Sequence, residues 1–331
     1  MSGSRIKDRD YLAVSATVRA REGKMLTREK KERMIDASSY EDAAKMLTEC
    51  GYEDMSAMNA TQIEEALSKH RTRIFYEIEK LVPEREVVDA FRLKYDYHNA
   101  KVLVKAEGAN IDGEYLMSDS GRVPPKEFAE AYHTRDYRCL SSKLSAALED
   151  ARGVLSRTGN SQLADFILDK AYFEELQEMG ERLYCPFLAE YTALSADAAN
   201  LSAVVRTVRM GRDFDFFKKA MVGGGGIDAE KVAMAAISGD GFAQMLKGTP
   251  FEQAASAAEE AVKGSKLAAF ELSIQKVMTD FLRKSVLTSF GAESVIAYLA
   301  AVEDEITAAR MILTGKLSGI DSRLLKERLS D

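Results

Sequence analysis

A chain of 331 residues is long enough for two or three domains, and its composition is typical of a helical protein, with 46% apolar residues, 30% charged residues, five prolines and no tryptophan. The formal net charge of −7 argues against general affinity for nucleic acid. Its three cysteines lie far apart and form no metal-binding pair, which favours a reducing cytoplasm. No apolar run reaches the roughly 18–20 residues that a membrane-spanning helix needs.

The sequence of the first part of the chain predicts short helices. Tyr11–Glu22 forms the first of them, and Thr27 is placed to cap the second. Ser38 and Thr61 each begin a Ser/Thr-x-x-Glu sequence, which predicts a capping box at the start of a helix. The helix that follows Thr61 is long and amphipathic.

The stretch Val87–Gly108 predicts a second long helix, which packs back on the first as an antiparallel hairpin. Its apolar residues recur every three or four positions, so they share one helix face. Gly108 is a residue typical of a helix end. The positions of this apolar stripe are Val88, Phe91, Tyr95, His98 and Val102.

The same design occurs twice more, in Cys185–Gly211 and Gly291–Gly315, and each stretch again ends in glycine. Short helices begin at positions separated by 98, 103 and 93 residues. Such recurrence favours duplicated helical units over chance similarity. We therefore expect an all-α fold of three modules, residues 1–108, 109–211 and 212–331. The short helices begin near Thr27, Pro125, Asp228 and Asp321.

Two Asp–Asn pairs occupy equivalent turns of the first and second long helices. Asp96 and Asn99 could be a functional pair, but the favoured interpretation is that they fix the packing of the hairpin or accept hydrogen bonds from a neighbouring loop. Glu303 and Ile306 take their places in the third helix. The predicted packing residues are Phe91, Tyr95, Asp96, Asn99, Asp197, Asn200 and Ile306.

A search for chemical motifs predicts no catalytic, cofactor-binding or metal-binding residues. The Walker pattern is absent, and Gly223–Gly226 follows a predicted helix rather than a strand, so a flexible linker is the favoured interpretation. Glu130 and His133 have the Glu-x-x-His spacing of di-iron bundles, but the second such motif that these sites require is missing. The histidines and cysteines support neither a catalytic triad nor a zinc site.

Four segments carry a resemblance to a known family. The stretch FRLKYDYHNAKVLVKA resembles the C subunit of the V/A-type rotary ATPases of archaea and bacteria, which is similar to the d subunit of the eukaryotic vacuolar enzyme. The segments YLAVSATVRAREGKML, LDKAYFEEL and YLAAVEDEITAARMILTGKLSGID agree with it in the same order. The resemblance therefore covers nearly the whole chain.

The resemblance implies three related helical-hairpin domains around a pseudo-threefold axis, arranged as a funnel. It implies a non-catalytic rotor adaptor at the cytoplasmic face of the membrane, peripheral and without a span of its own. Its partners would be the shaft subunits D and F and the membrane proteolipid ring, with no nucleotide, nucleic acid or cofactor bound. The alternatives are a helical repeat scaffold of another complex, or a helical metal enzyme using Glu130 and His133.

Overall fold

The computed structural model of the protein describes residues 6–239, 241–265, 267–288 and 290–329. Within these ranges it contains sixteen α-helices, a few short 3-10 helices and no strand, so the all-α prediction is confirmed. None of the described helices is both long and apolar enough to cross a bilayer. The α-helices are α1 (Leu12–Glu22), α2 (Arg28–Asp36), α3 (Tyr40–Met46), α4 (Ala60–Glu79), α5 (Glu86–Ala109), α6 (Pro125–Thr134), α7 (Ser142–Thr158), α8 (Ser161–Arg182), α9 (Pro186–Arg209), α10 (Phe214–Ala220), α11 (Ala229–Ser238), α12 (Phe242–Met245), α13 (Ala255–Val262), α14 (Leu267–Arg283), α15 (Ala292–Leu317) and α16 (Ser322–Leu329).

The chain divides into two compact units. One contains Arg92–Phe281, and the other brings Ile6–Phe91 together with the part of the chain that begins at Leu282. In the first unit, α8 packs against both α7 and α9, and α9 also contacts α11 and α13. Its core is built from fully buried apolar side chains such as Phe128, Leu148 and Leu168.

The second unit is built around α15. This helix packs against α1, α2 and α4, so it joins elements from the two ends of the chain. The hydroxyls of Ser15 and Ser294 lie 2.8 Å apart in its interior. Nearer the surface, Lys316 Nζ donates to the Ala37 carbonyl oxygen at 2.6 Å. The N-terminal short helices therefore complete the packing of the last long helix.

The three predicted long helices are present, but two of the predicted helix-ending glycines have another role. Gly108 and Gly315 lie inside α5 and α15. A Cβ atom at Gly108 would lie 2.7 Å from a methyl carbon of Leu155, and one at Gly315 would lie 2.6 Å from a methyl carbon of Leu325. Both glycines therefore permit close packing of a neighbouring helix. Of the three predicted helix-ending glycines, Gly211 lies beyond the end of its helix, and its φ of 60° places its backbone in the left-handed region.

The predicted apolar stripe of α5 is only partly buried. His98 is exposed, and Tyr95 is half-buried. Leu93 and Ala100, which lie off the stripe, are fully buried. Residues on more than one face of α5 are buried. A prediction that buries one apolar stripe suits a helix at the surface, so it fails for this helix.

One of the predicted helix caps is confirmed and two are displaced. Thr27 accepts a hydrogen bond from a backbone N–H at 3.3 Å, as the sequence predicts. The cap of α3 is Ser39 rather than Ser38, and its hydroxyl accepts an N–H at 3.1 Å. The cap of α4 is Asn59, which forms a complete capping box, rather than Thr61. Each displaced cap has a second competent side chain one or two residues away, so the local rule alone does not choose between them.

Candidate functional site: carboxylate anchors on the long helices

The first anchor consists of Asp96 and Asn99 on α5 and the loop 118–123. The two side chains are one helical turn apart on the same face, and both are fully buried. The Asn99 amide donates to the Ser118 carbonyl oxygen at 2.9 Å and accepts the Ser118 N–H at 2.7 Å. One side chain thus satisfies both backbone groups of a loop residue.

The Asp96 carboxylate holds the other end of this loop. Its Oδ1 accepts the backbone N–H groups of Arg122 at 2.8 Å and Val123 at 3.3 Å. Its Oδ2 lies 2.5 Å from Arg122 Nε. Burial raises the pKa of Asp96, and the Arg122 guanidinium opposes that rise. Three donors on this one buried carboxylate hold the backbone of Arg122 and Val123 in place.

Arg122 extends the first anchor to a second buried carboxylate, Glu175 on α8. Arg122 Nη1 lies 2.9 Å from Glu175 Oε1. The hydroxyls of Tyr97 and Ser141 donate to Glu175 Oε2 at 2.9 and 2.8 Å. Burial and this carboxylate both raise the pKa of Tyr97, so its phenol stays a donor. The network ties α5 to α8 and to the start of α7.

The second anchor consists of Asp197 and Asn200 on α9 and the loop 222–227. The Asn200 amide exchanges two hydrogen bonds with the backbone of Val222, both at 2.9 Å. The Asp197 carboxylate accepts the N–H groups of Gly226 and Ile227, both at 3.0 Å. Burial raises the pKa of Asp197, and the two N–H donors oppose the rise.

The two loops correspond position by position. In each six-residue loop, the first residue pairs with the asparagine, and the fifth and sixth donate to the aspartate. The fourth is Gly121 or Gly225, where a Cβ atom would clash with the aspartate Oδ1. The glycine run predicted as a flexible linker therefore forms an ordered turn that closes on Asp197.

Replacing Gly225 by alanine is expected to lower the free energy of unfolding by about 1–3 kcal/mol, because the new Cβ would displace the Asp197 carboxylate from its donors. Gly223→Ala is the matched control, since no atom lies within 4 Å of the Cβ it would add. The control should leave stability unchanged or raise it by at most about 1 kcal/mol. Urea unfolding of both variants measures the difference, and equal midpoints would contradict the expectation.

The third anchor consists of Glu305 on α15 and the backbone of Leu26. Leu26 lies just before the cap of α2. Val123 and Ile227, which donate to the other two anchors, lie in the same position before α6 and α11. The Glu305 carboxylate accepts the Leu26 N–H at 2.5 Å and the Tyr52 hydroxyl at 2.7 Å. Burial raises the pKa of Glu305, and the two donors oppose the rise.

The sequence aligned Glu303 and Ile306, rather than Glu305, with the Asp–Asn pairs. Glu303 lies 3.3 Å from the buried guanidinium of Arg71. The Ile306 side chain is fully buried. On each of α5, α9 and α15, a buried carboxylate therefore accepts a backbone N–H from the loop before a short helix. On α15 this carboxylate is Glu305, which is not one of the two residues that the sequence aligned with the Asp–Asn pairs.

His70 borders the third anchor and predicts a pH dependence of stability. Its ring stacks on Tyr52 with centroids 3.7 Å apart, and its Nδ1 lies 3.0 Å from Arg73 Nη2. Burial and the nearby Arg73 and Arg71 lower the pKa of His70 to about 4. The neutral ring therefore contributes stability that is present above pH 6.5 and is lost as the pH falls towards 4.

We expect the wild type to lose up to about 3 kcal/mol of unfolding free energy through His70 between these pH values. His70→Gln should lose correspondingly less over the same interval. His133→Gln removes an exposed imidazole and controls for the loss of a histidine as such. Urea unfolding in a pH series gives the comparison. Parallel curves for wild type and His70→Gln would contradict this assignment.

Two further predicted packing residues lie outside the anchors. Phe91 is buried, with 6% of its surface exposed. Tyr95 is half-buried, and the Lys94 ammonium lies 5.0 Å from the centre of its ring. The role of these two side chains in packing the hairpin stays a prediction.

The Glu130–His133 pair is not arranged as a metal site. His133 Nε2 lies 3.0 Å from Glu114 Oε1, and both of these side chains are more than half exposed. Among the residues that the structure describes, no group of three or more His, Cys, Asp or Glu side chains is arranged to hold a metal ion. His133 and Glu114 are in contact at the surface.

Sequence reasoning missed Arg122, Glu175 and Glu305. Glu175 lies in the segment LDKAYFEEL, where nothing distinguishes it from the neighbouring Glu174. The only signal for Arg122 was its place beside Gly121 in a polar loop. Glu305 receives its donor from a residue 279 positions away, a distance that no local pattern reports.

Comparison with known proteins gives one family across almost the whole chain. The family described as ATP synthase (C/AC39) subunit matches residues 14–328. The C subunit of the V-type sodium ATPase of Enterococcus hirae is 25% identical over 327 residues, which cover 97% of this chain and 98% of the relative. The match therefore spans all three long helices.

Two further relatives come from other lineages. The C subunit of the V-type ATP synthase of Thermus thermophilus is 24% identical over 330 residues, covering 97% of this chain and 98% of the relative. The C subunit of the A-type ATP synthase of Methanocaldococcus jannaschii is 24% identical over 342 residues, covering 96% of this chain and 86% of the relative. The similarity thus covers nearly the whole of this chain in both comparisons.

Proposed function

Because the chain belongs to the ATP synthase (C/AC39) subunit family, we propose that it is the non-catalytic adaptor in the rotor of a V/A-type ATPase or ATP synthase. In this role it links the shaft subunits D and F to the membrane proteolipid ring. It transmits torque between ion flow and the subunits that handle ATP. It sits at the cytoplasmic face of the membrane as a peripheral part of the complex.

The observation that carries the proposal is the family match over residues 14–328, together with relatives that are subunits of V-type and A-type enzymes. The anchors add a physical reason. An element that carries torque must resist twisting, so the loops between its helices must be fixed. Each anchor fixes a loop with buried hydrogen bonds, which are costly to break.

We also propose that the three modules, residues 1–108, 109–211 and 212–331, are related domains around a pseudo-threefold axis, as a funnel-like socket requires. The support is the recurrence of one contact: α5 holds the loop before α6, α9 holds the loop before α11, and α15 holds the loop before α2. The last of these joins the end of the chain to its beginning. Such an order is expected of a closed set of three repeats.

A bridging experiment tests the function. A tagged D–F complex from the same host is immobilised, and detergent-solubilised proteolipid ring is added with and without this protein. We expect the ring to be retained only when the protein is present. Retention without it, or failure of the protein to bind either partner at moderate salt, would reject the proposal.

A further inference from the structure

The two Asp–Asn anchors differ at the fifth residue of their loops, which is Arg122 in the first and Gly226 in the second. Arg122 contributes its backbone N–H and also its guanidinium, which contacts both Asp96 and Glu175. Gly226 contributes its backbone N–H alone. Of the residues that the structure describes, none forms an ion pair with Asp197. The second carboxylate is therefore held by two backbone donors and lacks the guanidinium that the first one has.

The second loop also loses more conformational entropy than the first when it is ordered. Residues 223–226 are four consecutive glycines, and glycine loses more conformational freedom on ordering than any other residue. The first loop has one glycine, and Pro124, which directly follows it, restricts the backbone of the residue before it. Within the first loop, the Ser120 N–H also donates to Ser118 Oγ at 3.2 Å. Releasing the second loop from its anchor therefore gains more entropy than releasing the first.

The two ends of the 223–227 segment stay held when the contacts with Asp197 break. At one end, Val222 is buried and exchanges two hydrogen bonds with the Asn200 amide. At the other end, α11 packs against α9. Between them the four glycines are exposed and have no side chain that would have to leave the core, and Ile227 is half-buried. In the described part of the chain, the hydrogen bonds that close this segment on α9 are thus the two that Asp197 accepts.

We propose that the 223–227 segment opens and closes on Asp197 while the helices around it stay folded. Local openings of this kind need much less free energy than global unfolding, and the elements that move in proteins are drawn from them. The Asp197 side chain, which is buried in the closed state, faces water in the open state. The first anchor stays closed, because its opening would take the Arg122 guanidinium away from two buried carboxylates. The opening needs no partner, so it does not depend on the proposed rotor role.

Amide hydrogen exchange of the full-length wild type at neutral pH, resolved to single residues, tests the opening. After correction for intrinsic rates, the N–H groups of Gly226 and Ile227 should be protected at least about tenfold less than those of Arg122, Val123 and Val222. Exchange at Gly226 and Ile227 should not change in low urea, because a local opening exposes little surface. Equal protection in the two loops would overturn the proposal. A urea dependence at Gly226 as steep as that of global unfolding would overturn it as well.

The role of the missing guanidinium is tested with Gly226→Arg, which places one where the first loop has Arg122. A Cβ atom at this position would lie 3.6 Å from Asp197 Oδ2, which is an ordinary contact distance. The protection of the Ile227 N–H should rise by more than about tenfold, because opening must then separate a guanidinium from a buried carboxylate.

Gly223→Arg is the matched control, because it replaces a glycine of the same run and adds the same charge. No atom lies within 4 Å of the Cβ it would add. Loss of one glycine alone should raise the protection of the Ile227 N–H by at most about fivefold. If Gly226→Arg protects this N–H no better than Gly223→Arg, the proposal fails. If Gly226→Arg does not fold, the wild-type comparison of the two loops decides the matter.

Discussion

Asp96→Ala is expected to lower the free energy of unfolding by about 3–5 kcal/mol, because it removes one member of a buried ion pair. The Asp96 side chain is fully buried and accepts two backbone N–H groups and the Arg122 Nε. Removing it leaves these donors without the buried acceptor that they share. Arg122 would keep its contact with Glu175, which sets an upper limit to the loss.

The matched control is Asp169→Ala, which breaks a partly exposed ion pair with Lys101 that spans 2.5 Å. It should cost less than about 1 kcal/mol. Asp96→Asn should fall between the two alanine variants, because an amide oxygen can accept the N–H groups but cannot balance the Arg122 charge. Urea unfolding at neutral pH orders the three variants. A loss for Asp96→Ala no larger than that for Asp169→Ala would show that the anchor does not stabilise the fold.

The sequence predicted the all-α fold well because its strongest signal is local. Apolar residues three or four positions apart mark the long helices, and the structure has them at Glu86–Ala109, Pro186–Arg209 and Ala292–Leu317. The two Asp–Asn pairs also stood out, because polar residues one turn apart inside an apolar helix need partners. For Asp96 and Asn99 the sequence favoured either packing of the hairpin or hydrogen bonds from a neighbouring loop.

Other features depend on contacts that no local pattern carries. Glycine is a residue typical of helix ends, so the sequence predicts that role for Gly108 and Gly315. In the structure they instead make room for Leu155 and Leu325, which approach from other helices. The third anchor is Glu305 rather than the aligned Glu303, because its partner is the distant Leu26 N–H. Periodicity assigns a residue to a helix, whereas the identity of its neighbour is a tertiary property.

Ile306→Asp is expected to lower the free energy of unfolding by about 4 kcal/mol or more, because it places a carboxylate in a fully buried position of α15 that an apolar side chain occupies in the wild type. Two costs add together. The apolar side chain no longer fills its site, and the new carboxylate must be desolvated. Urea unfolding or thermal melting measures the loss.

Two companion variants separate these costs. Ile306→Val removes a single methylene and should cost only about 0.5–1.5 kcal/mol. Ile306→Asn keeps the shape and polarity of aspartate without its charge. Burial raises the pKa of a carboxyl group, so the aspartate variant should recover stability relative to the asparagine variant as the pH falls and the new group takes up a proton. A melting temperature for Ile306→Asp equal to that of Ile306→Val would mean that this face of α15 is open to water.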